Sequence, residues 1–135
     1  MTPSEALAHH RMSRAHSALK EADILIAQRQ FNGALNRLYY AGFYAARALL
    51  ALRRADSSRH SGVISLFQQH FVKTGIVPEE IARVLPRAFA KRQLSDYGDF
   101  TDATADDVNP LREEVQRFVR ACEEALPGTH SESSR

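Results

Sequence analysis

Apolar residues recur along most of the chain at alternating steps of three and four, which is the period of a helix packed on one face. No stretch shows the strict apolar–polar alternation of a half-buried β-strand. The segments with helical spacing cover residues 4–30, 32–55, 61–73, 78–95 and 104–126. Because the connections between them are short, we predict an all-α fold with no sheet, arranged as a five-helix up-and-down bundle.

Residues that begin or bend helices support these boundaries. Ser4 is a candidate N-cap, and Pro78 suits the first helical position, where its missing N–H costs nothing. Thr104 followed by Asp107 resembles a capping box with Asp in place of Glu. Pro86 falls inside the fourth segment, and we expect it to kink that helix because its ring crowds the preceding turn.

The second segment, residues 32–55, is the most apolar. Its apolar side chains cover more than half of the helix circumference, and before its last turn its only charges are Arg37 and Arg47. A helix of this kind is expected at the centre of a bundle. Tyr40 and Tyr44 share the remaining face with the two arginines. These four side chains are suited to stacking on and clamping a nucleotide, and equally suited to a protein interface or to the solvent edge of a central helix.

Length and composition indicate one ordinary domain. The 135 residues are 44% hydrophobic and 25% charged, which is enough apolar material for a core. We assign residues 1–127 to the bundle and residues 128–135 to a disordered polar tail. No apolar run approaches the roughly 20 residues that a membrane helix needs. The single cysteine, Cys122, excludes an intramolecular disulfide and suits a reducing, cytoplasmic setting.

Charge and motifs exclude several kinds of site. The formal net charge of +2 does not by itself indicate a nucleic-acid-binding protein, although it says nothing about how the charges are distributed. The sequence has no phosphate-binding glycine loop, nucleophile elbow or His-Glu-x-x-His motif, so no cofactor is expected. His9 and His16 lie seven apart without a carboxylate at helical spacing. We expect solvated histidines there and no metal site.

Arg92 is the first candidate for chemistry because it lies on the apolar stripe of the fourth segment. A guanidinium in that position is costly unless it is paired. Asp96 follows four residues later and can reach Arg92 if the helix continues, and Tyr97 adds a hydroxyl beside them. One interpretation is an Arg–Asp–Tyr cluster that binds phosphate or orients RNA. The other is a structural ion pair that ties the helix end to its loop.

His60 is a weaker candidate. It stands directly before a predicted helix start, in the tetrapeptide Arg-His-Ser-Gly at residues 59–62. A helix N-terminus with histidine and serine nearby can hold an anion. The alternative is an ordinary helix cap.

Four stretches of this sequence together resemble the HEPN-domain family, and more narrowly its short stand-alone prokaryotic members. They occur in the family's order and are ALNRLYYAGFYAARALL at residues 34–50, HSGV at 60–63, FVKTG at 71–75 and RQLSDY at 92–97. The resemblance extends over residues 7–126. It implies a helical bundle that commonly forms a homodimer and that is often encoded beside a minimal nucleotidyltransferase, with which it forms a toxin–antitoxin pair.

The resemblance also implies where an active site would lie. Active toxin members are metal-independent ribonucleases whose motif is an arginine, a polar residue, a short spacer and a histidine near the end of a late helix. Some members carry a tyrosine after that histidine, which the partner enzyme can modify with AMP. Arg92 matches the motif arginine, Asp96 stands in the place of the histidine, and Tyr97 follows it.

The substitution by Asp96 weakens the ribonuclease interpretation. Histidine can take or give a proton near neutral pH, whereas an aspartate is ionised there and is a poor acid. We therefore expect a HEPN-type partner of a nucleotidyltransferase that binds nucleotide, RNA or the partner enzyme. A ribonuclease toxin using the same cluster and a purely structural dimeric module are the alternatives.

Overall fold

The computed structural model describes residues 1–97 and 102–128, without the side chain of Tyr97. All the regular secondary structure in these ranges is helical. The elements are α1 (Pro3–Ala27), α2 (Phe31–Leu52), α3 (His60–Phe67), a π-helical turn (Gln68–Val72) that continues α3, α4 (Glu79–Ala82), α5 (Val84–Tyr97) and α6 (Ala105–Glu124). The predicted all-α bundle of five helices is confirmed, with its fourth helix divided into α4 and α5. Most of the predicted tail, from residue 129 onward, lies outside the described residues.

The second helix is the centre of the bundle. It packs along α1 in a helical hairpin and also contacts α3, α5 and α6. Leu38, Leu49 and Leu50 have no exposed surface. Tyr39, on the same stripe, is also fully buried. The prediction that this helix is the central one is confirmed. Apolar as it is, neither α2 nor any other helix within the described ranges has the length and hydropathy to cross a membrane.

The N-cap predicted from the sequence is found at α6, whereas α1 has a different N-cap from the predicted one. At α6 the Asp107 carboxylate accepts a hydrogen bond from the Thr104 backbone N–H at 2.9 Å, as the predicted capping box requires. The N-cap of α1 is Thr2, whose hydroxyl accepts from the Glu5 N–H at 3.1 Å. Ser4 is therefore wrong as a cap. Pro3 occupies the first helical position, which suits proline and leaves the residue before it as the cap.

The predicted kink at Pro86 is replaced by a break one turn earlier. The short helix α4 ends at Ala82, and α5 begins at Val84. A proline ring clashes with the carbonyl four residues before it, which for Pro86 is the carbonyl of Ala82. Pro78 is the N-cap of α4 and not its first helical residue. Because the break absorbs the distortion, α5 is a separate helix that carries Arg92 near its end.

Candidate functional site

A group of aromatic rings lies where α2, α3 and α5 meet. The His60 ring stacks on Phe43 with ring centroids 4.4 Å apart and an interplanar angle of 21°. Tyr39 lies 5.2 Å from Tyr40 and 5.4 Å from Phe89, again between centroids. We call these five rings the aromatic cluster. Its members come from three helices, so the contacts that His60 and Phe89 make with the rings of α2 depend on tertiary packing.

His60 is fixed in this cluster by a hydrogen bond to Tyr39. Its Nδ1 lies 2.8 Å from the Tyr39 hydroxyl, which is fully buried. Burial raises the pKa of Tyr39 far above its ordinary value, so its hydroxyl remains protonated. The expectation that His60 acts as a helix cap is wrong, because α3 has Arg59 as its N-cap and no side chain caps it. The imidazole turns inward because stacking on Phe43 and the Tyr39 hydroxyl both favour that position.

The electrostatic surroundings of His60 favour its neutral form. Its pKa is lowered from the ordinary value of 6.5, first by burial and then by the positive charges of Arg92 and Arg47. These two arginines come from different helices, α5 and α2. His60 is therefore a neutral imidazole at neutral pH, with a guanidinium in its surroundings from each of two elements.

Arg92 and Asp96 form the ion pair that their spacing predicts. Arg92 Nε lies 3.1 Å from Asp96 Oδ2, and 17% of the Arg92 side chain is exposed. The geometry is that of an ion pair and not of a hydrogen bond, so Nε has no hydrogen-bond partner among the described residues. The Arg92 guanidinium also lies over the rings of Tyr39 and Tyr40, 5.6 and 5.4 Å from their centroids. The side chain of Tyr97, the third predicted member, lies outside the described residues.

Tyr40 lies against two guanidiniums. Arg37 is 5.0 Å from the centroid of its ring, and Arg92 is 5.4 Å from it. Arg37 also forms an ion pair of 3.3 Å with Glu21 on α1. Cations attract the faces of aromatic rings, so this arrangement holds both arginines beside a half-buried tyrosine. Two of the four predicted site residues of α2, Arg37 and Tyr40, thus lie in contact with Arg92, the predicted residue of α5.

Arg47 lies on the other side of the aromatic cluster, beside an open cavity. Its guanidinium is 5.7 Å from the Phe43 ring centroid and donates a hydrogen bond of 3.0 Å to Asp56. Burial acts to raise the pKa of Asp56, but hydrogen bonds from Ser57 and Arg47 and the nearby positive charges outweigh it and lower that pKa. The cavity has a volume of about 540 Å³ and is lined by Phe43, Arg47, Asp56, Ser57, Ser58 and His60.

Tyr44 is bound by an arginine of α1 that Sequence analysis did not single out. Arg14 of α1 donates a hydrogen bond of 3.1 Å to the Tyr44 hydroxyl, and its guanidinium lies 4.9 Å from the ring centroid. Arg11, one turn before it on α1, donates to the backbone carbonyl of Arg47 at 3.1 Å. The three-residue spacing of Arg11 and Arg14 places both on one face of α1, and that was the available signal. We use the term arginine–aromatic face for the surface formed by Arg14, Arg37, Tyr40, Tyr44, Arg47, His60 and Arg92.

Two of the three histidines of α1, His9 and His16, have structural partners. The His16 ring lies 2.9 Å from the Glu123 carboxylate, and His9 lies 3.1 Å from the Pro127 carbonyl. The expectation that they are merely solvated is therefore wrong, since His16 contacts α6 and His9 contacts the segment that follows it. Within residues 1–97 and 102–128, no group of three or more potential ligands among His, Cys, Asp and Glu is placed to hold a metal ion.

Comparison with known proteins agrees with this architecture. The family model described as HEPN domain matches residues 8–125. The chain belongs to the HEPN domain family. A UPF0332 protein of Gloeobacter violaceus is 39% identical over 127 residues, which cover 93% of this chain and 98% of that protein. A UPF0332 protein of Thermotoga maritima is 32% identical over 126 residues, which cover 93% and 96%.

Two of the relatives carry a name that refers to function, and both are called putative toxins. “Putative toxin MJ0605” of Methanocaldococcus jannaschii is 32% identical over 113 residues, which cover 83% of this chain and 83% of that protein. The family that the four sequence stretches suggested is thus confirmed. In this HEPN chain Arg92 forms an ion pair with Asp96, and the histidine of the aromatic cluster, His60, comes from α3.

Proposed function

We propose that this HEPN protein is the toxin-like member of a two-component system and that it binds single-stranded RNA on its arginine–aromatic face. The observation that carries the proposal is Tyr40 in contact with the guanidiniums of Arg37 and Arg92. Single-stranded RNA is recognised by rings and guanidinium planes on which bases stack, together with cations that track the phosphates. Arg92 supplies the planar fork that suits a phosphate.

The distribution of charge supports this proposal although the net charge is small. The formal charge is only +2, but Arg14, Arg37 and Arg92 lie against the partly exposed rings of Tyr40 and Tyr44, and Arg47 lies against the neighbouring Phe43 ring. A local concentration of cations attracts a polyanion whatever the charge of the whole protein. Arginines beside aromatic rings are also the combination that sequence-tolerant single-strand binding uses.

The proposed partner is a minimal nucleotidyltransferase, and the proposed form of the protein is a cytoplasmic homodimer. The resemblance to stand-alone prokaryotic HEPN proteins implies both, and the name of the Methanocaldococcus jannaschii relative supports a toxin-like role. The first test is whether a nucleotidyltransferase gene lies beside the gene for this protein. Co-purification of its product with tagged protein would then support the pairing, and separate elution of the two proteins would contradict it.

RNA binding is tested by fluorescence anisotropy with a labelled single-stranded RNA. We expect saturable binding that weakens with added salt, and weaker binding to a duplex of the same sequence. Arg37→Ala should weaken binding, because Arg37 lies on the Tyr40 ring. The matched control is Arg83→Ala, which also removes one positive charge but from an exposed residue paired with Glu79. Equal effects of the two variants, or no binding by the wild type, would refute the proposal and leave a structural dimeric module.

A further inference from the structure

The loop between α2 and α3, residues 53–59, borders the arginine–aromatic face at one end. Along α2 the arginines and tyrosines of this face run from Arg37 to Arg47, which lie about 15 Å apart along the helix axis. The cavity of about 540 Å³ is lined at that point by Phe43 and Arg47 of α2, by residues 56–58 of the loop and by His60. An RNA strand that follows the row on α2 toward Arg47 would therefore reach this cavity.

The positive charge beside this cavity comes from two arginines of different helices. Arg11 of α1 donates a hydrogen bond to the backbone carbonyl of Arg47 at 3.1 Å. Both guanidiniums lie near the same oxygen of Asp56, Arg47 at 3.0 Å and Arg11 at 3.8 Å. The pKa of Arg11 is lowered, first by burial and then by the charge of Arg47. A single carboxylate balances one of these two charges, so the pair of arginines keeps a net positive charge.

The Arg47 guanidinium has hydrogen-bonding capacity that the protein does not use. Its Nη2 donates to Asp56, whereas its Nε is buried and has no hydrogen-bond partner among the described residues. A buried donor without a partner is uncommon in proteins and points to an additional ligand. The planar donors of arginine match the oxygens of phosphate in particular. Asp56 is 51% exposed, so water can satisfy its carboxylate when an anion takes its place on Arg47.

The loop that lines the cavity is held in place by its own hydrogen bonds. The Asp56 carboxylate accepts from the Ser57 N–H at 2.8 Å, and the Ser57 hydroxyl accepts from the Arg59 N–H at 3.2 Å. The Ser57 side chain also packs so closely on Gly62 that a Cβ at that position would overlap its hydroxyl. Ser58 lines the cavity and is exposed. The wall of the cavity is thus formed in advance and carries a hydroxyl that can donate to an anion.

We propose that this cavity is a subsite for a terminal phosphate, so that the protein binds a phosphorylated end of a single RNA strand in preference to a hydroxyl end. The inference rests on the RNA binding proposed above and deepens it, because stacking and charge alone would bind internal segments equally well. A phosphate monoester carries a charge of about −1.5 to −2 near neutral pH and three free oxygens, more than a phosphodiester within the strand. Arg47 and Ser58 would bind these oxygens in place of Asp56.

The size of the cavity suits the end of a strand. A volume of about 540 Å³ falls within the range of small-molecule sites, so the cavity can admit the phosphate together with the sugar that bears it. The rings of Phe43 and His60 supply an apolar part of the lining. A free mononucleotide offers the same phosphate chemistry, but it would not reach Arg37 and Tyr40 at the other end of the row. The experiment therefore includes both kinds of ligand.

The test is a competition titration on the full chain, in which unlabelled RNAs displace one labelled single-stranded RNA. The competitors share a sequence of about ten nucleotides and carry a 5′-phosphate, a 3′-phosphate or hydroxyls at both ends. A hydroxyl-ended RNA that is one nucleotide longer controls for charge, and a mononucleotide tests the phosphate without the strand. We expect one of the phosphorylated RNAs to bind about tenfold more tightly than both hydroxyl-ended RNAs, the usual effect of one hydrogen bond to a charged group.

Two pairs of variants locate the effect. Arg47→Gln should remove the preference for the phosphorylated end. Arg37→Gln, at the other end of the row, should weaken binding of every RNA alike and keep the preference. Asp56→Asn should strengthen binding of the phosphorylated RNA most, because the carboxylate that competes for Arg47 is neutralised. Its matched control is Glu21→Gln, which neutralises the carboxylate paired with Arg37 and should strengthen binding of every RNA alike.

The outcomes separate the two proposals. Equal affinities for phosphorylated and hydroxyl-ended RNA, or a preference that survives in Arg47→Gln, overturn the terminal-phosphate site and leave RNA binding intact. Competition by the mononucleotide as strong as that of the phosphorylated RNA also overturns it, because the strand would then contribute nothing. Absence of binding by every RNA overturns both proposals. If Arg47→Gln does not fold, Ser58→Asp decides, since a second carboxylate in the cavity should abolish the preference and a retained preference contradicts the site.

Discussion

The buried hydroxyl of Tyr39 and Nδ1 of His60 are hydrogen-bond partners at 2.8 Å, although the two residues lie on different helices. Tyr39 has no exposed surface, whereas His60 is partly exposed. Loss of either partner therefore has unequal consequences. A buried polar group left without a partner costs more free energy than an exposed one, which water can satisfy.

Removal of the two partners should accordingly destabilise the protein to different extents. Tyr39→Phe should lower the free energy of unfolding by about 0.5–1.5 kcal/mol, the usual net value of one hydrogen bond. His60→Ala should lower it by about 1–3 kcal/mol, because it leaves the buried hydroxyl unpaired and also removes the ring stacked on Phe43. Urea unfolding of both variants and of the double variant measures the coupling. A smaller loss for His60→Ala than for Tyr39→Phe would contradict this account.

Stability should also depend on pH through His60. Its pKa in the folded protein lies below the ordinary 6.5, so between these two values the unfolded chain binds more protons than the folded one. The free energy of unfolding should therefore rise with pH through that window and fall as the pH drops below 6.5. His60→Gln should flatten the rise. Parallel pH curves for wild type and variant would show that His60 does not contribute.

Substitutions of Arg92 separate a structural role from a binding role. Arg92→Ala should weaken RNA binding about tenfold, equivalent to about 1.4 kcal/mol, and Arg92→Lys should weaken it less. Folding should survive in both variants, because Asp96 is 29% exposed and can be solvated. Anisotropy titrations and thermal melts distinguish the two effects, with Arg83→Ala as the charge-matched control. Unchanged binding in folded Arg92→Ala protein would remove Arg92 from the site.

Truncation of the core tests the central position of α2. Leu49 has no exposed surface, so Leu49→Ala should cost roughly 2–5 kcal/mol of unfolding free energy. The control is Ile24→Ala on α1, because 64% of Ile24 is exposed and its change should stay within about 0.5 kcal/mol. Denaturant unfolding measures both. Similar losses for the two variants would mean that α2 is not the central helix.

The predicted homodimer can be tested at α5. Leu94 is 58% exposed and lies two residues after Arg92, which makes it the apolar side chain most suited to a contact near the site. We expect light scattering to give the mass of a dimer, and we expect Leu94→Glu to shift it toward the monomer because a charge would be buried at the contact. Ile24→Glu, on the far longer helix α1, serves as the control. A monomer mass for the wild type would contradict the prediction.

Sequence reasoning succeeded for contacts within one helix. The Arg92–Asp96 pair follows from a spacing of four, and the burial of α2 follows from its apolar stripe. The break before α5 was misplaced by one turn because the clash of Pro86 acts on a carbonyl four residues earlier. In these cases the information lay within a few residues along the chain.

The spacing of residues along the sequence does not predict which side chains meet between helices. His60 meets Tyr39 across 21 residues, and Arg14 meets Tyr44 across 30, so both contacts depend on how the helices are rotated against one another. One signal was nevertheless present. A tyrosine on an otherwise apolar stripe needs a polar partner for its hydroxyl, and a histidine is a common one.

Three arginines of the arginine–aromatic face are accompanied by carboxylates: Arg37 by Glu21, Arg47 by Asp56 and Arg92 by Asp96. These carboxylates act as resident counterions. When RNA binds, it displaces these carboxylates from the arginines. They remain attached to the protein, whereas displaced salt ions would be released into solution. The dependence of affinity on salt should thus be shallower than the number of arginines implies. A chain of phosphates that engages several arginines at once can displace such counterions together, whereas a single mononucleotide meets them one at a time.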